Sequence, residues 1–179
     1  MAKTMKIITI AFAFLFASFL MLYYSFKNTI FLSFCITFGT CFYHFIMRLT
    51  VGLCINKIIN NKVDYSKPWF KVSKFELKLY KFLKLKKLKK IPTYSPSSFS
   101  TELHSFEEIV QASCQAEIVH EIIFILSYIP ILFTFLFGEF YVFLFTSVFA
   151  SLIDLFFVIV QRCKRPTLIR FIKKHHKNI

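Results

Sequence analysis

The chain has 179 residues, of which 56% are hydrophobic and 20% aromatic, and its formal net charge is +14. A soluble domain of this length cannot bury so much apolar surface, so the composition excludes an ordinary soluble protein and favours a membrane protein. In a membrane protein, cytoplasmic loops and lipid contacts account for the positive charge, which therefore does not indicate nucleic-acid binding.

The first apolar run covers residues 7–26, contains no charged residue and is long enough to cross a bilayer core. Lys3 and Lys6 precede it, as in a signal peptide. The run is nevertheless long for a cleaved signal, and no Ala-x-Ala site follows it. We therefore predict a retained membrane helix.

Further apolar runs of membrane-spanning length cover residues 29–47, 118–138 and 140–160. The first pair of spans is joined around Lys27 and the second pair around Gly138 and Glu139, and such short connections predict helical hairpins. The expected fold is therefore an all-α membrane protein. Its single integral membrane domain, residues 1–179, would contain four transmembrane helices in two hairpins.

Lysine and arginine residues lie almost entirely on one predicted side of the membrane. Two precede the first span, 13 lie between Arg48 and Lys90, and seven follow from Arg162 onward, whereas only Lys27 lies in a hairpin turn. Because cytoplasmic segments are enriched in these residues, both termini and the middle segment are expected to face the cytoplasm.

The middle segment contains a basic amphipathic stretch over about residues 68–91, in which bulky apolar residues are interleaved with lysines before Pro92. This pattern predicts a helix on the inner leaflet, either as a surface anchor or as part of a site. A second helix is predicted over residues 106–117, leading into the third span. The segment 162–179 is expected to form a basic cytoplasmic tail.

Ionisable side chains are costly within membrane spans and usually face a bundle interior or a wet cavity. Three predicted spans carry polar side chains near their cytoplasmic ends, so we expect these side chains to form one polar pocket that opens to the cytosol. The candidate residues are His44, Arg48, Glu117, His120, Asp154, Gln161, Arg162 and Arg165.

Within this set, Glu117 and His120 share a helix face, and a carboxylate beside an imidazole raises its basicity, as general-base catalysis requires. We predict an acid–base role for both, although Glu117 is also explained as an acid favoured at a helix N-terminus. Arg162 and Arg165 either anchor the topology or bind substrate. Asp154 either pairs with a neighbouring cation or takes part in binding.

The Glu117-x-x-His120 spacing also occurs among the ligands of di-iron helical bundles. Such sites need a second Glu-x-x-His and further glutamates, which the sequence does not contain, so no metal is expected. The five cysteines are odd in number and form no Cys-x-x-Cys pair, so they are expected to be reduced apolar side chains.

Two segments of the chain resemble the glycosyl-4,4'-diaponeurosporenoate acyltransferase family. They are AEIVHEIIFILSYIPILF at 116–133 and VIVQRCKRPTL at 158–168. The family pattern opens a proline-containing apolar span with Ala-Glu-x-x-His and ends a later span with Val-Gln-Arg-Tyr-Asn-Arg-Pro-Arg-Leu. The residues that match are Ala116, Glu117, His120, Pro130, Gln161, Arg162, Arg165, Pro166 and Leu168.

The resemblance implies a bacterial plasma-membrane enzyme that moves a fatty acyl chain onto a hydroxyl of a glycosylated carotenoid or a similar glycolipid. It also implies an acyl-CoA or acyl-carrier-protein donor, no cofactor, and membrane lipids as surroundings. Glu117 and His120 would then be catalytic. The substrate-binding residues would be His44, Arg48, Asp154, Gln161, Arg162 and Arg165.

The chain departs from the family pattern at Asp154, Cys163, Lys164 and Thr167. These differences alter the cationic rim of the predicted pocket, so they bear on the identity of the acceptor more than on the fold. The alternative function is a non-enzymatic membrane accessory protein or a binder of anionic lipid. Such a protein would use the polar cluster for helix packing.

Overall fold

The described chain is helical throughout its regular structure. The computed structural model describes residues 2–82 and 99–176, and these ranges contain no β-strand. The α-helices are α1 (Ala2–Phe26), α2 (Thr29–Ile59), α3 (Lys74–Phe82), α4 (Phe106–Leu126), α5 (Thr134–Phe137) and α6 (Phe140–His176). Short 3₁₀ turns cover Pro68–Phe70 and Ile129–Phe133.

Four segments are long and apolar enough to cross a membrane, namely Lys3–Phe26, Thr29–Ile59, Phe106–Phe137 and Phe140–Lys174. Large apolar side chains on their surfaces, such as Phe14, Phe135 and Phe149, are at least 70% exposed. A lipid environment removes the cost of that exposure. The prediction of an all-α membrane protein is confirmed. The hairpin arrangement, the side on which the termini lie and the surface position of the basic helix stay predictions.

Three helices extend beyond the apolar runs that predicted them. Helix α2 continues past residue 47 to Ile59, α4 joins the predicted helix at 106–117 to the third span, and α6 runs to His176. The segment expected as a tail from residue 162 is thus largely helical. Hydropathy detects only the apolar part of a helix, whereas Lys, Arg and Gln are good helix formers that continue it.

The basic middle segment is less regular than predicted. A continuous helix was expected over about 68–91, but residues 71–73 are not helical, α3 begins at Lys74, and residues 83–91 lie outside the described ranges. Ser73 and Glu76 explain this start. The Glu76 N–H donates to Ser73 Oγ at 3.1 Å, and the Ser73 N–H donates to the Glu76 carboxylate at 3.0 Å, which is a capping box.

The helices contribute to two compact units, and the first contains Met1–Leu53 and Ile122–Asp154. In this unit α1 packs on α2 through aromatic rings. The ring centroid of Phe19 lies 5.0 Å from that of Phe34 and 5.3 Å from that of Phe38. Such contacts between offset rings stabilise helix packing beyond the apolar area that they bury.

The second unit contains Cys54–Glu121 and Leu155–Ile179. Its apolar core joins the segment before α3 to α4 and α6. The buried members are Val63, Phe70, Val110, Cys114 and Ile172. Burial of Phe70 brings the backbone of the segment before α3 close to polar side chains of α4 and α6.

Gly39 marks a close approach of α2 to α1 in the first unit. A Cβ atom at this position would lie 2.9 Å from Cε2 of Phe16, whereas nothing lies within 4 Å of a Cβ atom at Gly52. We expect Gly39→Leu to lower the free energy of unfolding by about 1–3 kcal/mol, because the new side chain overpacks against Phe16.

Gly52→Leu is the matched control, and we expect it to raise the free energy of unfolding by up to about 1 kcal/mol because Leu favours helix over Gly. Thermal unfolding of the purified protein in detergent compares the two variants. Equal Tm values would contradict the packing of Phe16 against Gly39.

Candidate functional site

A buried carboxylate on α4 lies at the centre of the polar groups in the second unit. Glu117 is 0% exposed and accepts hydrogen bonds from two arginines of α6. Arg162 Nη1 donates to Oε1 at 2.5 Å, and Arg165 Nη2 donates to Oε2. Arg165 is itself 0% exposed. Because a buried charge is costly unless it is paired, each member of this group depends on the others.

Arg162 connects this group to α3. Its Nη2 donates to the Glu76 carboxylate oxygens at 3.0 and 3.2 Å. We call Glu76, Glu117, Arg162 and Arg165 the Glu117 cluster. Two cations and two anions give it a formal charge of zero, which lowers the cost of holding charges next to apolar helices. Burial and the nearby Glu76 charge raise the pKa of Tyr80, one turn along α3, so its phenol stays neutral.

The same arginines bind the backbone of the segment before α3. Arg162 donates to the carbonyl oxygens of Trp69 at 3.0 Å and Lys71 at 3.3 Å. Arg165 donates to the Phe70 carbonyl at 3.0 Å, and its guanidinium carbon lies 5.3 Å from the Phe70 ring centre. These three successive carbonyls do not belong to a long helix, so helical hydrogen bonds do not satisfy them. The two arginines supply hydrogen-bond donors instead. We call residues 69–71 the pinned segment.

His120 lies one turn after Glu117 on α4 and is partly exposed. Its ring stacks on Phe157 of α6, with ring centroids 4.9 Å apart and ring planes 17° apart. The next residue, Glu121, accepts a hydrogen bond from Trp69 Nε1 at 3.0 Å. The stacking restricts the orientation of the imidazole while part of it stays accessible, and a group that exchanges protons with a substrate needs both properties.

Gln161 has a packing contact in the same unit. Ser113 Oγ donates to Gln161 Oε1 at 3.1 Å, and both residues are buried. Together with the contacts of Arg162 and Arg165, this geometry supports a positioning role for the three α6 residues. Their predicted binding of substrate stays a prediction.

Arg48 and Asp154 form an ion pair in the first unit. Arg48 Nη2 donates to Asp154 Oδ2 and, at 3.1 Å, to the Ala150 carbonyl. Its Nη1 donates to the carbonyl of His44 at 3.0 Å. Asp154 is 1% exposed, so Arg48 is the cationic partner that its burial requires.

The eight candidate residues thus fall into two groups. Direct ion pairs join Glu117 to Arg162 and Arg165 in one unit and Arg48 to Asp154 in the other. One pocket that unites all eight stays a prediction. In the part of the chain that the structure describes, no group of three or more His, Cys, Asp or Glu side chains is placed to hold a metal ion.

Glu76 belongs to the Glu117 cluster through Arg162, but it lies outside the membrane spans from which the candidate residues were predicted. The Ser-x-x-Glu pattern at 73–76 was an available signal, since it marks a helix start and an acidic residue beside it. The carbonyl groups of the pinned segment carry no sequence signal at all, because every residue has one.

The Glu117 cluster and the pinned segment lie in the part of the chain that matches a known family. The sequence model of the glycosyl-4,4'-diaponeurosporenoate acyltransferase family matches residues 66–174. The chain belongs to this family. The resemblance stated from two short segments is confirmed, and the family description indicates an acyltransferase of the carotenoid pathway. No curated protein and no solved structure matches the chain.

The buried ion pairs of the Glu117 cluster predict a large stability effect. We expect Glu117→Gln to lower the free energy of unfolding by about 3–5 kcal/mol, because it leaves the buried Arg165 without its anionic partner. Glu121→Gln is the matched control, since Glu121 is a partly exposed carboxylate on the same helix, and its effect should stay below about 1 kcal/mol. Thermal unfolding in detergent measures both.

A double substitution separates pairing from general damage. In Glu117→Gln/Arg165→Gln both charges are absent, so we expect the double variant to be more stable than the sum of the single losses by about 1 kcal/mol or more. Strictly additive losses would contradict a direct coupling between these two side chains.

Proposed function

We propose that the protein transfers a fatty acyl group to a hydroxyl of a glycosylated carotenoid or a similar glycolipid, with His120 as the general base. The observation that supports this proposal is the position of His120 within the matched region. Its imidazole is partly exposed, stacks on Phe157 and lies one turn from the fully buried Glu117.

In the proposed reaction, a ring nitrogen of His120 accepts the proton of the acceptor hydroxyl as the oxygen attacks the carbonyl carbon of an acyl thioester. The new C–O bond forms and the C–S bond breaks. The departing thiolate takes the proton, and the ester is released. We propose direct transfer to the acceptor, because Cys114 of α4 is 0% exposed in the apolar core and is unsuited to forming an acyl-enzyme.

Glu117 acts as a positioning residue in this proposal. Both of its oxygens accept hydrogen bonds from guanidinium groups, so its charge is balanced by protein partners. Through Arg162 and Arg165 it instead holds the pinned segment. The acid–base pairing of Glu117 with His120 stays a prediction.

Exposed lysines next to the pinned segment suit a phosphate-bearing acyl donor, such as acyl-CoA or an acyl carrier protein. Lys67, Lys71, Lys74 and Lys78 are exposed, whereas Arg165 is 0% exposed and donates to oxygen atoms of the protein. An ammonium group binds phosphate as a point charge and keeps its freedom to reorient. We therefore assign the donor phosphates to these lysines rather than to the arginines of α6.

Replacement of His120 tests the proposed base. We expect His120→Gln to lower the rate of acyl transfer by about 10²–10⁴-fold, because no imidazole then accepts the hydroxyl proton. The assay uses full-length protein in lipid nanodiscs with radiolabelled acyl-CoA and a glycosylated carotenoid, and the lipid extract is analysed for the ester.

His104→Gln makes the same chemical change at an exposed histidine of the second unit, and we expect it to keep the wild-type rate. A His120→Gln variant that is folded and equally active would contradict the assignment. Loss of stability without any loss of transfer would instead support a packing role for this residue.

A further inference from the structure

Three polar side chains of the first unit have buried atoms with no hydrogen-bond partner among the residues that the structure describes. They are Thr134, through Oγ1, His44, through both Nδ1 and Nε2, and Ser147, through Oγ, and of these residues His44 and Ser147 are themselves buried. His44 is 5% exposed and Ser147 is 0% exposed. Both belong to membrane-spanning segments, where a polar group without a partner is strongly unfavourable and marks a candidate functional site.

Helices α2 and α6 run past each other in the same direction within this unit. Ser33 Oγ lies 3.5 Å from a carboxylate oxygen of Glu139, and further along both helices Arg48 contacts Ala150 and Asp154. The paired positions differ by 102 to 106 residues at each contact. The two helices therefore keep a nearly constant register.

This register places His44 level with residues 146–150, a range that includes Ser147. The two side chains are not hydrogen-bonded to each other, yet they lie at the same depth on helices that are in contact. A ligand group that lies between the two helices at this depth can form hydrogen bonds with both His44 and Ser147. Rotation of either side chain away from that position would leave its polar atom facing apolar surroundings.

The charges and hydroxyl groups around this level are already paired. Arg48 pairs with Asp154, the Thr40 hydroxyl donates to the Ile36 carbonyl at 2.7 Å, and the hydroxyl oxygens of Tyr128 and Ser151 are 2.9 Å apart. An anionic group would find no unpaired cation among these residues. The neighbourhood of His44 and Ser147 therefore favours a neutral ligand.

We infer that His44 and Ser147 bind a neutral, hydroxyl-bearing lipid head group and determine the specificity of the protein for it. A neutral imidazole offers one donor and one acceptor, and a serine hydroxyl serves as either, which matches the vicinal hydroxyl groups of a sugar. Identification of this ligand with the acyl acceptor rests on the proposed function. The binding itself requires neither His120 nor an acyl donor.

Photocrosslinking of a neutral glycolipid tests this inference. Full-length protein in phosphatidylcholine nanodiscs receives a trace of diazirine-labelled monoglucosyldiacylglycerol, and the crosslinked protein is quantified without acyl donor. We expect unlabelled monoglucosyldiacylglycerol to displace the probe at a concentration at least about tenfold lower than phosphatidylglycerol, because the phosphate of phosphatidylglycerol adds a negative charge while the nearby cation Arg48 is already paired with Asp154.

We expect His44→Leu and Ser147→Ala each to lower the crosslinking yield about tenfold through loss of those hydrogen bonds. His44→Gln keeps one donor and one acceptor, so its yield should stay within about threefold of wild type. Thr37→Val is the matched control on α2. The Thr37 hydroxyl already donates to the Ser33 carbonyl at 2.8 Å, so its removal should leave the yield unchanged.

Unchanged crosslinking in both His44→Leu and Ser147→Ala overturns the inference and shows that these side chains meet a buried water only. Equal displacement by phosphatidylglycerol overturns it as well. If His44→Leu fails to fold, Ser147→Ala and His44→Gln still decide the question. The inference and the proposed function can fail separately. We expect His120→Gln to crosslink normally, because binding does not require the proposed base. If wild-type protein binds the glycolipid but forms no ester, the proposed function is wrong and the binding inference still holds.

Discussion

The Glu117 carboxylate, held between Arg162 and Arg165, is the interaction on which the second unit depends. Each arginine bonds to one carboxylate oxygen, and the same guanidinium groups reach the carbonyls of the pinned segment and the Glu76 carboxylate. Glu117 lies on α4, both arginines on α6, and Glu76 on α3. Removal of the carboxylate would leave the buried Arg165 without its anionic partner next to apolar helices, where unpaired charge is most costly. The interaction therefore couples three helices through one buried side chain.

This arrangement separates the groups that build the site from the group that we propose to react. The terminal nitrogens of both arginines donate to protein oxygens, and the four charges of the Glu117 cluster sum to zero, so the cluster suits a structural role. His120 is on the same helix as Glu117 but is partly exposed and held by ring stacking. In the first unit the Arg48–Asp154 pair has a comparable position next to the unpartnered His44. In both units, an imidazole lies close in sequence to ion pairs whose formal charges sum to zero.

The parts of this picture that sequence predicts are those with a local signal. Apolar runs predicted the membrane helices, and the Ala-Glu-x-x-His and Gln-Arg-x-x-Arg-Pro elements predicted the family. Hydropathy placed the end of α6 too early because Lys and Arg continue a helix beyond its apolar part. The partners of Arg162 and Arg165 were beyond sequence reasoning, since backbone carbonyls occur at every residue. Glu76 and the start of α3 at Lys74 were within reach through the capping box, but the bonds from the arginines to the pinned segment depend on tertiary contacts that no local pattern records.

Hydrogen exchange at the amides of Phe70 and Lys71 tests most directly whether the Glu117 cluster holds the pinned segment. These amides donate to the carbonyls of Lys67 and Pro68, each at 3.1 Å, in a single 3₁₀ turn that is too short to persist unaided. The account predicts that Arg162→Gln increases their exchange rates about tenfold or more, while Glu121→Gln has a much smaller effect. Exchange rates in Arg162→Gln equal to those of wild type would contradict the account, because the turn would then be stable without the arginine.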